Sequence, residues 1–270
     1  MRTIVTLLWA AALSCRGPEA ASEPASGPPR TVLVELYSSQ GCDSCPAADA
    51  LVERLPRLGF PEDQVIPLTF HVTYWDDLGW SDPFASPLHD QRQIGYAHAL
   101  PMARAADEAT IRGPYTPQMV VDGRVHFSGA LEKVAVAELA RARARPAAID
   151  LSARAALAEG GVVVDVRSSA APGAGLDTDR AKVGIFAVLV QPRAETEVPR
   201  GENAGKRLTE RNVVRALAGP KLFRSGRAVN ETHLELARPA DLVDPFVVVF
   251  AQDLATLEIH AAQALALAAT

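Results

Sequence analysis

The first folded elements follow from the apolar pattern. Nearly continuous apolar residues at 31–38 predict a buried parallel strand, and the run Val65–His71 predicts a second strand. Between them, apolar residues recur at helical spacing from 47 to 58 and predict a helix. Pro67 indicates that the second strand begins irregularly or lies near a sheet edge.

The strand pattern is lost over residues 72–114. Pro87 directly after Ser86 is typical of a helix start, and that helix should end before Pro101. A second short helix is expected at 103–110. We interpret the segment as a helical insertion. It carries a large part of the aromatic content of the chain: Tyr74, Trp75, Trp80, Phe84 and Tyr96.

A strand pattern returns after the insertion. Strands are predicted at 119–121 and 124–127, joined by the two-residue turn 122–123. A helix should follow at 131–144. Together these elements predict an α/β domain over residues 31–146.

The remainder, residues 147–270, is predicted to be a β-rich, sandwich-like domain. A hairpin is expected at 149–157 and 162–167, around two glycines. Residues 207–217 are ambiguous, and 257–268 could be a strand followed by a helix. Three further strands are predicted, at 182–191, 229–237 and 245–252.

The N-terminus resembles an export signal. Residues 1–15 carry one early charge and a short apolar centre, too short to span a bilayer. The residues before Cys15 resemble a bacterial lipoprotein signal, so lipidation of Cys15 and simple cleavage nearby are both open. Residues 16–30, rich in Pro, Ala, Ser and Gly, predict a disordered tether. The expected location is the periplasm or, as a lipoprotein, the outer membrane.

Composition narrows the function classes. The chain has 270 residues, 48% of them hydrophobic and 22% charged, as in a soluble globular protein. The net charge is −5 and no basic block is present, which argues against nucleic-acid binding. Contact with a membrane is expected only through a lipid anchor at Cys15.

Two of the three cysteines, Cys42 and Cys45, stand two residues apart between the first predicted strand and helix. A Cys-x-x-Cys at such a junction indicates a redox-active dithiol that forms a disulfide. Unpaired N–H groups at an exposed helix start stabilise a thiolate on Cys42, the form that attacks disulfides. Cys45 is close enough to resolve the mixed disulfide.

Two carboxylates near the cysteine pair bear on its predicted redox chemistry. Glu35 interrupts the buried strand, where a charge is costly unless it is paired or protonated. It is either one partner of a salt bridge or a buried proton acceptor beneath the dithiol. Asp43 lies between the cysteines and should disfavour the Cys42 thiolate, which predicts a comparatively reducing couple.

The order of elements resembles that of the thioredoxin superfamily. The resemblance implies that Glu35 takes the place of the buried acid of that family, near Cys42. Thr116–Pro117 resembles its cis-proline loop, which faces the dithiol and binds substrate backbone. Trp75 and the other insertion aromatics are either core residues or a wall over the dithiol that contributes to substrate binding.

A closer resemblance is to family 1223 of domains of unknown function (DUF1223), secreted bacterial thioredoxin-like proteins. Asp43 and Thr73 depart from the residues usual in that family. The resemblance covers about residues 31–260, and its blocks lie at 35–46, 70–76, 80–84, 115–118, 201–203 and 212–215.

The leading hypothesis is an exported thiol–disulfide oxidoreductase that needs no cofactor and acts on a protein or small-molecule thiol or disulfide. A second hypothesis is copper or zinc binding by Cys42, Cys45 and His71. The competing interpretation of His71 is a hydrogen-bonded core residue. A third hypothesis is a non-enzymatic binding module, although so short a loop gains little stability from a disulfide. The sequence indicates no oligomeric state.

Overall fold

The computed structural model describes residues 30–103, 111, 113–174, 176, 182–223 and 227–267. These residues form a mixed α/β fold with a large sheet and few helices. The predicted signal, tether and 103–110 helix lie wholly or mostly outside the described residues.

The strands are β1 (Val32–Ser38), β2 (Val65–His71), β3 (Gln118–Val121), β4 (Val125–Ser128), β5 (Ile149–Ala158), β6 (Gly161–Ala170), β7 (Val183–Glu197), β8 (Arg207–Leu222), β9 (Asn230–Ala237), β10 (Phe246–Asp253) and β11 (Ile259–Ala266).

The described α-helices match the predicted ones closely. They are α1 (Cys45–Arg54), α2 (Pro87–Ala99) and α3 (Glu132–Arg143). At the start of α2 the Ser86 hydroxyl accepts a hydrogen bond from the Leu88 N–H, as expected for a residue preceding the first turn. Within the described part of the chain, no helix combines the length and apolar character needed to cross a membrane.

One eight-stranded sheet contains strands from both halves of the chain. Its order is β11-β10-β7-β8-β2-β1-β3-β4, and a second sheet has the order β5-β6-β9. β1 and β2 are parallel, whereas β3 runs antiparallel to β1. The predicted boundary near residue 147 therefore separates two sets of strands that share a sheet.

The join between those sets, which we call the seam, lies between β2 and β8. A single Cα pair, Thr69 with Val213, links the two strands in parallel. The Asn212 amide donates to the Pro67 carbonyl at 2.9 Å, so a side chain supplements the ladder there. Of the two alternatives for Pro67, an irregular strand start or a position near a sheet edge, the second is wrong, since β2 lies inside the sheet.

The two faces of β1 enter different cores. Val32, Val34 and Leu36 pack with α1 and α3. Leu33 and Tyr37 point the other way, into a core shared with the C-terminal strands. Because side chains alternate along a strand, Glu35 lies on this second face.

The second sheet packs on the C-terminal part of the first, and the two share a hydrophobic core. β7 is buried on both faces: Ile185 and Leu189 enter the sandwich core, and Val188 and Val190 enter the core beneath β1. Two open assignments are resolved. The ambiguous segment 207–217 is part of strand β8. The described part of 257–268 contains strand β11 (Ile259–Ala266) and no helix.

Arg92 of α2 connects three parts of the fold. Its Nε donates to Glu35 of β1 at 2.7 Å, and another nitrogen donates to the Gln252 side chain of β10 at 3.0 Å. Burial opposes the charge, but the Glu35 carboxylate raises the pKa of Arg92 above its usual value. The guanidinium also lies 5.0–5.3 Å from the ring centres of Tyr96, Phe186 and Phe250.

Replacing Arg92 with methionine should leave the Glu35 carboxylate buried without its cation. We expect the free energy of unfolding to fall by about 3–5 kcal/mol, measured by urea denaturation. Arg54→Met is the matched control, because it breaks the exposed Arg54–Glu132 pair and should cost less than about 1 kcal/mol. Equal losses in the two variants would contradict this role of Arg92.

Candidate functional site

Cys42 and Cys45 form a disulfide at the start of α1, with their Cα atoms 5.4 Å apart. The helix begins at Cys45, and Pro46 occupies its first turn, where a missing N–H removes no intrahelical bond. Cys42 belongs to the preceding turn. The expectation of an exposed Cys42 is wrong: Cys42 is 0% and Cys45 1% exposed.

A distant segment contacts the backbone on both sides of the bond between the buried Cys42 and Asp43. The loop between β7 and β8, residues 198–206, is called here the cover loop. The buried Asn203 amide donates to the carbonyls of Gln40 and Cys42, at 2.9 and 2.8 Å. The Asp43 N–H donates to a Glu202 carboxylate oxygen at 3.2 Å. This contact gives a structural role to the 201–203 block, whose purpose the sequence did not show.

Gln40 fixes the cysteine loop to the rest of the protein. Its backbone N–H donates to Asp82 at 2.8 Å, and its side-chain carbonyl accepts from the Trp80 indole at 3.1 Å. Its side-chain NH₂ donates to Thr196 and Glu210, at 2.9 and 3.1 Å. The loop is therefore held by both the insertion and the β7–β8 hairpin.

Trp75 connects the cysteine loop to the proline loop. Its indole N–H donates to the Thr116 hydroxyl at 2.8 Å. A Cβ at Gly41 would lie 3.2 Å from the Trp75 Cβ, so the backbone beside Cys42 approaches Trp75 closely. The Thr116–Pro117 peptide bond is cis, as predicted. Three predicted site residues thus lie together beside the cysteine loop.

Glu35 does not lie beneath the dithiol. Its carboxylate is fully buried and paired with Arg92, on the face of β1 opposite the α1 core. Of the two roles open from the sequence, the geometry matches the salt bridge. The strand pattern showed that Glu35 is buried but could not show which layer covers it.

A cluster of buried ionisable side chains, separate from Glu35, lies near the cysteine loop. His71 and Asp82 are buried and paired, Nδ1 to Oδ2, at 2.6 Å. Burial opposes the imidazolium, but Asp82 and the nearby carboxylates raise the pKa of His71 to about 9. Burial raises the pKa of Asp49 to about 7 and also raises that of Glu210. These groups also interact electrostatically with one another.

Asp49 stands one helical turn after Cys45 in α1, so the two side chains are neighbours on the same face. The residue is half-buried, but its Oδ1 atom is inaccessible and has no hydrogen-bond partner among the described residues. Sequence analysis missed Asp49; the available signal was an acidic residue four positions after Cys45.

The predicted metal ligands are not arranged as a ligand set. Cys42 and Cys45 are bonded to each other, and His71 is paired with Asp82. Across the described ranges, no group of three or more His, Cys, Asp or Glu side chains is placed to hold a metal ion. His71 is a hydrogen-bonded core residue.

These features define an α/β protein with a cysteine pair between a buried strand and a helix, beside a cis-proline loop. The profile of the family "Protein of unknown function (DUF1223)" matches residues 33–252. The chain belongs to this family, as its sequence blocks predicted. A search of curated proteins finds no match.

Two solved structures are similar in fold. Protein AGR_C_4864 from Agrobacterium tumefaciens is 23% identical with a TM-score of 0.57, covering 89% of this chain and 96% of that one. HBP35 of Porphyromonas gingivalis is 13% identical with a TM-score of 0.62, covering 90% of this chain and 77% of that one. At these identities, the likeness concerns the fold alone.

Replacing Asn203 with alanine should expose the disulfide. The change removes two hydrogen bonds that hold the cover loop on the cysteine loop, so opening of the cover becomes less costly. We expect reduction by dithiothreitol to be about tenfold faster, measured by trapping free thiols with time.

Asn212→Ala is the control for this experiment. It removes another buried amide that donates to a backbone carbonyl, that of Pro67, away from the cysteines. Its reduction rate should stay close to that of the unchanged protein. Equal acceleration in both variants would show that general destabilisation, not the cover, sets the rate.

Asp49 should make stability depend on pH. Its pKa rises from 3.8 to about 7 on folding, so its contribution is complete below pH 3.8 and lost as the pH rises through about 7. Asparagine mimics the protonated form, and Asp49→Asn should flatten the stability–pH curve between those values. The His71 contribution, complete below pH 6.5 and lost through about 9, should persist.

Chemical denaturation of the oxidised protein at a series of pH values measures this effect. The exposed Asp63 provides the control, since Asp63→Asn removes a carboxylate from the surface. An unchanged slope in the Asp49 variant would exclude Asp49 as the titrating group.

Proposed function

We propose that this protein is an exported thiol–disulfide oxidoreductase with a thioredoxin-like active site. The observation that carries the proposal is the Cys42–Cys45 disulfide at the start of α1, next to Trp75 and the cis Thr116–Pro117 loop. Export is part of the proposal and rests on residues 1–15. Export would place the Cys42–Cys45 pair in an oxidising compartment, where disulfides form.

The cysteines have distinct roles in this mechanism. The Cys42 thiolate, in the turn before the helix, attacks one sulfur of the substrate disulfide and releases the other substrate sulfur as a thiolate. The Cys45 thiolate then attacks the Cys42 sulfur and releases the second substrate thiol. The two electrons that reduce the substrate come from the dithiol, which becomes a disulfide. The reverse sequence oxidises a substrate dithiol.

Asp49 is the proposed proton acceptor for Cys45 in place of Glu35. It lies one turn from Cys45, and its pKa of about 7 lets it take and return a proton near neutral pH. A cavity of about 370 Å³ opens beside it, lined by residues that include Pro46, Asp49, Arg193 and Arg207. Through this cavity the proton can exchange with solvent, whereas Glu35 is held by Arg92.

Substrate must reach a sulfur that has no exposed surface. The proposed groove runs along Trp75, Thr116 and Pro117, where Trp75 is half-buried. Tyr74 and Leu78, which are 41% and 57% exposed, extend an apolar surface on the same segment. Displacement of the cover loop is therefore part of the proposed cycle, and it restricts the substrates that can react.

A mixed-disulfide trap tests the proposal. In Cys45→Ser the attacking cysteine remains but resolution is blocked, so disulfide-bonded substrate should stay attached to Cys42 and be released by reductant. Mass spectrometry of the protein isolated from periplasmic extract identifies the adduct. Cys42→Ser is the matched control and should retain nothing.

Insulin reduction provides a second measurement. The unchanged protein should accelerate it in the presence of dithiothreitol, and Cys42→Ser should lose the acceleration completely. If the Cys45 variant captures nothing and the unchanged protein leaves insulin reduction at the background rate, the proposed activity is wrong.

A further inference from the structure

The cover loop brings the Glu202 carboxylate to the turn that carries Cys42, where Asp43 already supplies one acidic side chain. Glu202 accepts a hydrogen bond from the N–H of Asp43, the residue directly after Cys42, with 3.2 Å between N and Oε2. Glu202 is 160 positions from Cys42 in sequence and reaches it only because the β7–β8 hairpin turns over the start of α1. Asp43 and Glu202 together give this end of the helix two acidic side chains.

The effect of Glu202 on Cys42 follows from the chemistry of helix starts. Free backbone N–H groups at a helix start stabilise a thiolate. Glu202 occupies the Asp43 N–H, in the turn that leads into the helix, and adds a negative charge beside the residue that follows Cys42. Both effects disfavour the thiolate. The hydrogen bond also holds the loop in the conformation seen with the disulfide formed.

Two nearby groups stabilise the Cys42 thiolate and so oppose the effect of Glu202. The Ser44 hydroxyl lies 3.4 Å from the Cys42 sulfur and can donate to a thiolate. Lys206 donates to the Asn203 side-chain oxygen at 2.8 Å, which places a cation in the same loop. Asp43, Glu202 and Lys206 together carry two negative charges and one positive charge, so removal of one carboxylate makes this set of three neutral.

We infer that Glu202 tunes the redox equilibrium of the Cys42–Cys45 pair, favouring the disulfide and making the dithiol more reducing. The inference rests on the proposed function, since it assigns a positioning residue to that dithiol. Glu202 does not touch the reacting sulfur atoms. It acts through the Asp43 N–H and through its charge.

Equilibration with glutathione measures the effect. In that reaction the protein disulfide is reduced to two thiols while two glutathione molecules are oxidised to one glutathione disulfide. Glu202→Gln keeps a hydrogen-bond acceptor but removes the charge. We expect its disulfide to be about two- to fivefold easier to reduce, the range for one exposed charge interaction. The pKa of the Cys42 thiol, followed by thiolate absorbance, should fall.

Salt and a matched variant separate this role from a structural one. Because the effect is electrostatic, it should shrink as ionic strength rises. Glu197→Gln removes an exposed carboxylate from the same hairpin and should leave both quantities unchanged. Glu202→Asp retains the charge and should restore most of the original equilibrium.

Each result of these measurements either supports or overturns the tuning role of Glu202. An equilibrium constant within about 1.5-fold of the original in Glu202→Gln, or an equal shift in Glu197→Gln, overturns it. Both measurements use the isolated protein and glutathione, so they do not depend on the natural substrate. If substrate trapping and insulin reduction fail while Glu202→Gln shifts the equilibrium, the tuning role stands and only the proposed activity falls.

Discussion

The fold depends on one buried ion pair, between Glu35 and Arg92. A carboxylate inside a central strand is unstable unless a cation reaches it, and the cation comes from the helical insertion. The same guanidinium binds Gln252 and lies against aromatic rings of the C-terminal strands. The pair therefore fixes α2 and β10 relative to β1. Without it, the Glu35 carboxylate would be left buried with no cation.

The family profile extends far beyond the cysteine pair. The profile covers residues 33–252, from β1 to Gln252 in β10. The cysteine loop is completed by groups from the β7–β8 hairpin, because Asn203 and Glu210 hold Gln40 and the backbone of Cys42. A strand–helix–strand unit alone would leave the Gln40 amide and the loop carbonyls without these partners. The C-terminal half is thus part of the candidate site.

Local signals were sufficient for the predicted elements that carry the cysteines. The apolar run of β1, the Cys-x-x-Cys and Thr116–Pro117 each have a pattern within a few residues. The contacts of Asn203 could not be predicted, because a side-chain hydrogen bond across 161 positions leaves no periodicity. Glu35 was recognised as costly, but its partner depended on which layer covers that face. Residues 207–217 of β8 were ambiguous because polar and apolar residues alternate over only part of this segment.

The seam between β2 and β8 gives the cysteine loop a second role. Elsewhere in the large sheet, neighbouring strands share four or more Cα pairs, but here one pair and two side-chain bonds carry the join. The cysteine loop lies on one side of the seam and the cover loop on the other. The hydrogen bonds of Gln40 with Glu210 and of Asn203 with the backbone of Gln40 and Cys42 therefore also cross it. The groups that surround the disulfide thus help to connect the two halves of the sheet.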